Sequence, residues 1–455
     1  MLDSKLVARA LNIAAELPEK NFTGINTDSR SIKAGELFVA LSGENFDGHN
    51  YCLKAVQAGA SGVVISHEVE GLPESCLCFK VDDTLAAYQL IAREYRRQFN
   101  RLKVFAITGS NGKTSTKDLL AACLSKRFRV VKTQANFNNE IGLPKTLLSI
   151  QNDTDIAVVE MGMRGLGQIK ALCELAEPDS GLITNVGETH MELLGSMENI
   201  GLAKSEIVER LPENGYAVLN GDNPYVVKAA SKTSAQVVFY GLSAACDYCG
   251  SKIITSAAGT TFECTVKATG ETRKISLPLI GVHNVYNALA AISGALCYGV
   301  TLQQCAEALA DVVLTGKRQE LVEIGSLTFI NDAYNASPAS MEAGLKTLGE
   351  AKKARPGARA IAVLADMLEL GEVSEDAHRR AGRWAKENGV DQVLTYGQEA
   401  SAITEEFKAQ GGLADHYEDR ESAALALKQL VKPGDVILLK GSHSMGVDKV
   451  LEFFR

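Results

Sequence analysis

The chain alternates between short apolar runs that end in polar residues and longer segments in which apolar residues recur at helical spacing. The apolar runs predict buried strands followed by loops. The predicted strands are 37–41, 62–65, 104–107, 155–159, 181–185, 216–219, 327–330, 360–364, 392–396 and 436–439. Helical spacing predicts helices at 51–60, 115–125 and 284–296, and residues 250–279 are predicted to be rich in β-structure.

This alternation of strands and helices predicts an α/β fold with mostly parallel sheets. A chain of 455 residues is too long for one hydrophobic core, and domains of about 100–200 residues suggest three. We expect a mixed α/β N-terminal domain at 1–100, a central domain with a mostly parallel sheet at 101–315, and a second, doubly wound α/β domain at 316–455.

Composition excludes several classes of function. The net charge of −8 argues against a non-specific nucleic-acid binder. The sequence has neither an apolar run long enough to span a membrane nor an N-terminal signal peptide. We therefore expect a cytoplasmic protein with no membrane insertion. The pair Cys246 and Cys249 has no second pair at zinc-ligand spacing, and we interpret it as structural.

The loop at 108–114 is the clearest chemical signal in the sequence, since it lies between a predicted strand and a predicted helix. In that context the backbone N–H groups of a glycine-rich loop bind phosphate oxygens, a lysine reaches the terminal phosphates, and a threonine hydroxyl binds Mg²⁺. Ile107 stands where the common pattern has its first glycine. The predicted nucleotide-binding residues of the loop are Gly109, Ser110, Asn111, Gly112, Lys113 and Thr114.

Other polar residues follow the predicted strands of the central domain. Glu160 ends one strand, where a carboxylate facing the loop would hold Mg²⁺. His190 follows the next strand, near the same sheet edge. Lys204 lies in a helical pattern, and the residues alone favour a solvated charge there, because an ammonium beside Mg²⁺ would be repelled.

Several motifs occur together and in order: 109–114, Glu160-Met161-Gly162, His190, Ala203-Lys204 with Glu206, and 281–287. This set resembles the Mur ligase family, ATP-dependent amide ligases of peptidoglycan precursor synthesis. The resemblance covers essentially the whole chain. It implies a UDP-binding N-terminal domain, a central ATPase domain and a C-terminal Rossmann-like domain.

The resemblance also implies roles for individual residues. ATP and two Mg²⁺ ions are the implied cofactors, with Thr114 and Glu160 at the first ion. His190 and Lys204 would serve the second ion, with Lys204 carbamylated by CO₂ so that it becomes an anionic oxygen ligand. Further nucleotide contacts are implied for Asn287, Arg318 and Asp332.

Further motifs narrow the implied activity, at residues 27–30, 38–41, 47–49, 136–144, 332–338, 366–371 and 440–442. They resemble the family member that adds D-alanyl-D-alanine to UDP-N-acetylmuramoyl-tripeptide through an acyl phosphate. We expect the protein to be a monomer with no nucleic-acid partner. The Asp-Asn-Pro-Arg motif of the paralogue that adds a diamino acid is missing. The implied substrate-binding residues are Ser29, Arg30, Asn138, Asn139, Asn335, Ser337, Lys440 and Ser442.

The sequence departs from the family pattern at Ser337, Ala365, Asn331 and His443. His443 replaces an arginine that would bind a carboxylate in two-pronged fashion, so we expect altered recognition of the dipeptide carboxylate. Alternative interpretations are a sibling ligase that adds a different amino acid, a phosphate-loop kinase or transporter subunit, and a catalytically silent nucleotide-sugar-binding module. The third residue of the acceptor peptide leaves no mark in the sequence.

Overall fold

The computed structural model describes residues 2–14, 17–44, 46–256, 259–316 and 319–455. The chain forms two compact units, each built from discontinuous segments. The first unit contains Met1–Phe105, Arg129–Met161 and Lys170–Pro178, and the second contains Ala106–Phe128, Gly162–Ile169 and Asp179–Arg455.

The N-terminal part of the first unit is a parallel sheet with helices packed on it. In the described part, the strand order is β1-β2-β5-β6, and all three pairings are parallel. The long helix begins at an N-cap aspartate, Asp83, whose side chain accepts from two backbone N–H groups. The elements are α1 (Ser4–Ala10), β1 (Ile25–Asn26), β2 (Leu37–Val39), β3 (Ser42–Gly43), β4 (Phe46–Asp47), a 3₁₀ turn (Gly48–Tyr51), α2 (Cys52–Gln57), β5 (Gly62–Ile65), β6 (Leu77–Lys80) and α3 (Thr84–Arg97).

The central part of the chain contributes to both units. β8 and β9 pair in parallel in the first unit, while β10, β11, β12 and β13 form parallel pairs in the second. β13, β14 and β15 are antiparallel. The elements are β7 (Lys103–Thr108), α4 (Lys113–Leu124), β8 (Val130–Lys132), α5 (Gly142–Leu147), β9 (Ile156–Glu160), α6 (Gln168–Ala176), β10 (Ser180–Ile183), α7 (Met191–Leu194), α8 (Met197–Ser205), β11 (Tyr216–Asn220), α9 (Pro224–Val227), a 3₁₀ turn (Lys228–Lys232), β12 (Gln236–Gly241), β13 (Tyr248–Ser256), β14 (Gly259–Val266), β15 (Thr272–Leu277), α10 (Val282–Cys297) and α11 (Leu302–Ala310).

The C-terminal part is a doubly wound sheet with an apolar core on each face. The strand order is β16-β17-β21-β18-β19-β20, and every described pairing except β16 with β17 is parallel. The elements are β16 (Glu320–Ile324), β17 (Leu327–Asn331), α12 (Pro338–Lys353), β18 (Ala360–Ala365), a 3₁₀ turn (Gly371–Val373), α13 (Ser374–Glu387), β19 (Gln392–Tyr396), α14 (Ser401–Ala409), β20 (Leu413–Tyr417), α15 (Arg420–Leu430), β21 (Val436–Lys440) and 3₁₀ segments (His443–Met445 and Val447–Phe453).

Every predicted strand corresponds to an observed strand, and the α/β class with mostly parallel pairing is confirmed. The strand predicted at 181–185 ends earlier, at Ile183, where Thr184 and Asn185 instead form hydrogen bonds with Asn111 in the loop after β7. The helix predicted at 51–60 is split between a 3₁₀ turn and α2. β20 was not predicted, because it is an edge strand whose residues are mostly exposed and whose sequence therefore has little apolar pattern.

Candidate nucleotide and ligase site

The loop after β7 can form only with glycine at two positions. Gly109 has φ +150° and Gly112 has φ +80°, a region that side chains rarely adopt. A Cβ atom at Gly109 would lie 1.8 Å from the Thr184 Oγ1 atom, and one at Gly112 would lie 2.3 Å from the Asn287 Oδ1 atom. The loop therefore makes its turn with these two glycines.

Residues after β10 hold the loop from the neighbouring strand. Asn111 donates its backbone N–H to the Asn185 side chain over 2.9 Å, and its carbonyl accepts from Thr184 Oγ1 over 2.6 Å. The Ser110 hydroxyl donates to the carbonyl of Gly187 over 3.0 Å. These contacts fix the loop in advance of any ligand. These contacts were not predicted from the sequence, although the polar residues Thr184 and Asn185 directly after a buried strand were the available signal.

Lys113 and Thr114 begin α4, with the positive end of the helix directed at the loop. The Lys113 ammonium donates to the carbonyl oxygens of Gly109 and Ser110 over 2.8 and 3.2 Å. Thr114 is buried. The first turn of a twelve-residue helix, a lysine folded over the loop and two glycines together form an anion-binding cradle.

Lys204 lies in α8 and is only 2% exposed, so the expectation of a solvated charge at this position is wrong. Burial lowers the pKa of its amine well below the usual value, and the nearby positive charge of Lys113 lowers it further. The helix packs this lysine inward, and this burial favours the neutral form of its amine.

His190 lies at the start of α7 and contacts a residue of the C-terminal part. Its Nδ1 atom is 2.6 Å from Oε2 of Glu369, which follows β18. The hydrogen bond to His190 lowers the pKa of Glu369, so this carboxyl is ionised at neutral pH. The sequence predicts no individual role for Glu369.

Glu160 belongs to the other unit and ends β9 there, 1% exposed. Its Oε1 atom accepts from the Asn138 side chain over 2.8 Å, so the structure brings two predicted site residues together. Asn139 instead accepts from the backbone N–H of Gly142 over 2.9 Å, at the start of α5. That Glu160 faces the phosphate loop stays a prediction.

Asn287 lies in α10 behind the loop. Its Oδ1 atom accepts from the Thr116 hydroxyl over 3.3 Å, which ties α10 to α4. Its Nδ2 atom donates to Asn284 over 3.3 Å. Arg318, which is also predicted to contact the nucleotide, lies outside the described residues.

Two predicted residues of the C-terminal part neutralise each other. Lys440, which is 1% exposed, donates to Asp332 Oδ2 over 2.6 Å and to the carbonyl of Asn335 over 3.2 Å. Ser442 accepts from the backbone N–H of Leu368 over 2.9 Å. Lys440 and Ser442 therefore fix the loops after β17 and β18, and their direct contact with substrate stays a prediction.

Ser337 connects the C-terminal part to the phosphate loop. Its hydroxyl donates to Oδ1 of Asn111 over 2.8 Å, and it is also the N-cap of α12, with Ser340 completing a capping box. Of the predicted N-terminal pair, Arg30 is exposed and bonds Asp28, and Ser29 is half-buried.

Fold and site together define a phosphate-loop α/β protein whose C-terminal doubly wound part reaches the loop. Three family models match the chain. They are described as "Mur ligase family, catalytic domain" at residues 21–96, "Mur ligase middle domain" at 107–295, and "Mur ligase, glutamate ligase domain" at 317–443.

Full-length relatives and solved structures agree with these matches. The chain is 39% identical to the UDP-N-acetylmuramoyl-tripeptide–D-alanyl-D-alanine ligase of Bacillus subtilis, over 94% of this chain and 92% of the relative. The ligase of the same name from Escherichia coli is 35% identical, with 94% and 92% covered. The crystal structure of MurF from Acinetobacter baumannii matches with a TM-score of 0.90 at 28% identity, covering 99% of this chain and 98% of that one. MurF ligase from Thermotoga maritima in complex with ADP matches with a TM-score of 0.82 at 29% identity, with 95% and 96% covered.

The chain belongs to the Mur ligase family, with the three-domain α/β fold of those structures, and it is an ATP-dependent ligase. Within the described part of the chain, no helix is both long and apolar enough to cross a membrane.

Proposed function

We propose that this enzyme joins D-alanyl-D-alanine to the peptide carboxylate of UDP-N-acetylmuramoyl-tripeptide and converts ATP to ADP and phosphate. The observation that carries the proposal is 39% identity, over 94% of this chain, to the B. subtilis ligase of that name. The anion cradle around Lys113 supports it, because the reaction needs a triphosphate held beside a carboxylate. Consumption of ATP favours a cytoplasmic location. A monomer is the simplest active form, since one chain supplies both the loop and the residues that hold it.

A peptide carboxylate is a poor acyl donor, so it must be activated. A carboxylate oxygen attacks the γ-phosphorus of ATP, ADP leaves, and an acyl phosphate forms. The dipeptide amine then attacks the carbonyl carbon, phosphate leaves, and the amine loses a proton. Lys113 and the N–H groups of the loop offset the charge that develops on the phosphate oxygens.

The residues fit Mg²⁺. The buried carboxylate of Glu160 and the hydroxyl of Thr114 are hard oxygen donors, which this ion prefers, and His190 adds a ring nitrogen oriented by a carboxylate. We propose that Thr114 and Glu160 hold one ion and that His190 and carbamylated Lys204 hold a second. When bound, Mg²⁺ supplies charge neutralisation at the phosphates.

The surroundings of Lys204 support the proposed carbamylation. A neutral amine attacks the carbon of CO₂ and releases a proton to solvent, which gives a carbamate anion. Burial and the positive charge of Lys113 favour the neutral amine, and the negative charge of the carbamate would offset the positive charge of Lys113.

With ¹³C-bicarbonate we expect one protein carbamate signal by NMR, absent in Lys204→Ala and retained in the control Lys232→Ala. Activity of Lys204→Ala is expected to recover with short carboxylic acids. The modification would be disproved if Lys204→Ala were fully active without added carboxylic acid and the wild type gave no carbamate signal by NMR.

The reaction is tested by the product mass after incubation with ATP, UDP-N-acetylmuramoyl-tripeptide and D-alanyl-D-alanine. We expect the UDP-linked pentapeptide, with one ADP and one phosphate for each product. A stable phosphorylated product formed without the dipeptide would indicate a kinase. Faster reaction with a different amine, in parallel assays, would indicate a sibling ligase.

A further inference from the structure

The contact between His190 and Glu369 joins two domains of the ligase. His190 lies in the stretch matched by the middle-domain model, and Glu369 in the stretch matched by the C-terminal model. The Nδ1 atom of His190 is 2.6 Å from Oε2 of Glu369, and the other carboxylate oxygen, Oε1, is 3.7 Å from the Nε atom of Arg164. The Glu369 carboxylate of the last domain therefore lies within hydrogen-bond distance of one ring nitrogen of His190, a proposed metal ligand.

Both partners have a backbone conformation that non-glycine residues rarely adopt. His190 has φ +56° and Glu369 has φ +63°, so each is in the left-handed region. Such strain persists only where the surroundings enforce it, and it concentrates at functional sites. Here two strained residues, 179 positions apart in sequence, point their side chains at each other.

The loop that carries Glu369 is held rigidly from three sides. Met367 donates its backbone N–H to the ring of buried His378 over 3.0 Å, and Leu368 donates to Ser442 over 2.9 Å. The carboxylate of Asp366 accepts from the backbone N–H groups of Gln398, Glu399 and Ala400. The position of Glu369 is therefore set by the C-terminal domain as a whole.

We propose that Glu369 is a positioning residue for His190: it accepts the Nδ1 proton, which leaves the Nε2 lone pair to bind Mg²⁺. A histidine ligand commonly donates its second ring N–H to a carboxylate, which fixes both the tautomer and the ring orientation. The inference rests on the proposed function, in which His190 is a metal ligand. The metal site is then complete only when the C-terminal domain is docked on the central domain.

The test measures the affinity of the protein for Mn²⁺ in the presence of a non-hydrolysable ATP analogue. Electron paramagnetic resonance reports the concentration of free Mn²⁺, from which the affinity is calculated. Removing a carboxylate that orients a metal-binding histidine typically weakens metal binding by about 10- to 100-fold. We expect a weakening of this size in Glu369→Ala. Glu369→Gln keeps an acceptor oxygen, so its affinity should lie between those of the wild type and the alanine variant. In steady-state assays the apparent KM for Mg²⁺ should rise more than kcat falls.

Arg380→Ala is the matched control. Arg380 forms an ion pair with Glu188 between the same two domains but does not belong to the His190 contact. This variant should keep the wild-type Mn²⁺ affinity. Equal weakening in Arg380→Ala and Glu369→Ala would overturn the proposal, because the carboxylate would then act only in docking.

His190→Ala distinguishes the metal-binding role of His190 from the positioning role of Glu369. Unchanged Mn²⁺ affinity in this variant would refute the metal role of His190 and the positioning role with it. Weakened affinity in His190→Ala, together with wild-type affinity in a folded Glu369→Ala, would refute the positioning role alone. Circular dichroism reports folding, and if the alanine variant is unfolded, wild-type affinity in Glu369→Gln refutes the proposal.

Discussion

At the scale of single residues, Lys113 carries the clearest consequence. Its ammonium is bound to two carbonyl oxygens of its own loop, so it is already positioned where phosphate charge would arrive. Removing one preorganised charge donor typically lowers turnover by about 10²- to 10³-fold, so we expect Lys113→Ala to lose at least this factor in both ADP release and product formation. Lys126→Ala, at an exposed position beyond the end of α4, is the control and should leave both rates unchanged. Near-normal turnover in Lys113→Ala would contradict the phosphate role.

At the scale of elements, α4 joins the phosphate loop to the segment that leads into the C-terminal domain. Asp118 of α4 accepts from the backbone N–H of Thr315 over 2.8 Å and lies 3.5 Å from the Lys117 ammonium, with both charged side chains buried. Removing one partner of a buried pair leaves an uncompensated charge, so we expect Asp118→Ala to lower the free energy of unfolding by about 3–5 kcal/mol. Asp153→Ala breaks the exposed pair with Arg129 and should cost less than about 1 kcal/mol. Urea unfolding of both variants measures the difference, and equal effects would contradict the structural role of Asp118.

At the scale of the whole molecule, the boundary predicted at 316 is open to direct test. Among the described residues, the members of the two apolar cores of the six-stranded sheet all lie in the segment from Val322 to Phe454. Because the described members of both cores come from this segment alone, we expect a fragment of residues 316–455 to fold by itself and to unfold cooperatively on heating. A fragment of residues 332–455, which lacks β16 and β17, should lose this cooperativity since β17 pairs with β21. A non-cooperative transition in the longer fragment would mean that the boundary is wrong.

Much of the fold was predictable because its signals are local. A buried parallel strand is a continuous apolar run, and the strands predicted at 62–65 and 392–396 have the observed bounds. Short edge strands such as β20 were missed, since exposure on both faces removes the apolar signal. The candidate site was predicted where spacing alone defines it, at Gly109, Gly112 and Lys113.

The remaining site residues depend on distant parts of the chain. Ser337 bonds Asn111 across 226 positions, which no local pattern encodes. Lys204 is a charged residue in a helical pattern, and only the packing of α8 shows that its amine is buried.

The order of strands along the chain, the turn of the phosphate loop and the start of α4 can be derived from the amino-acid sequence, because hydrophobic periodicity and glycine conformations are properties of neighbouring residues. Tertiary packing controls which charges are desolvated and which polar groups meet, as in the pairs Lys440 with Asp332 and His190 with Glu369. Desolvation and hydrogen bonding depend on everything that surrounds a group, and those surroundings exist only once distant segments have packed together.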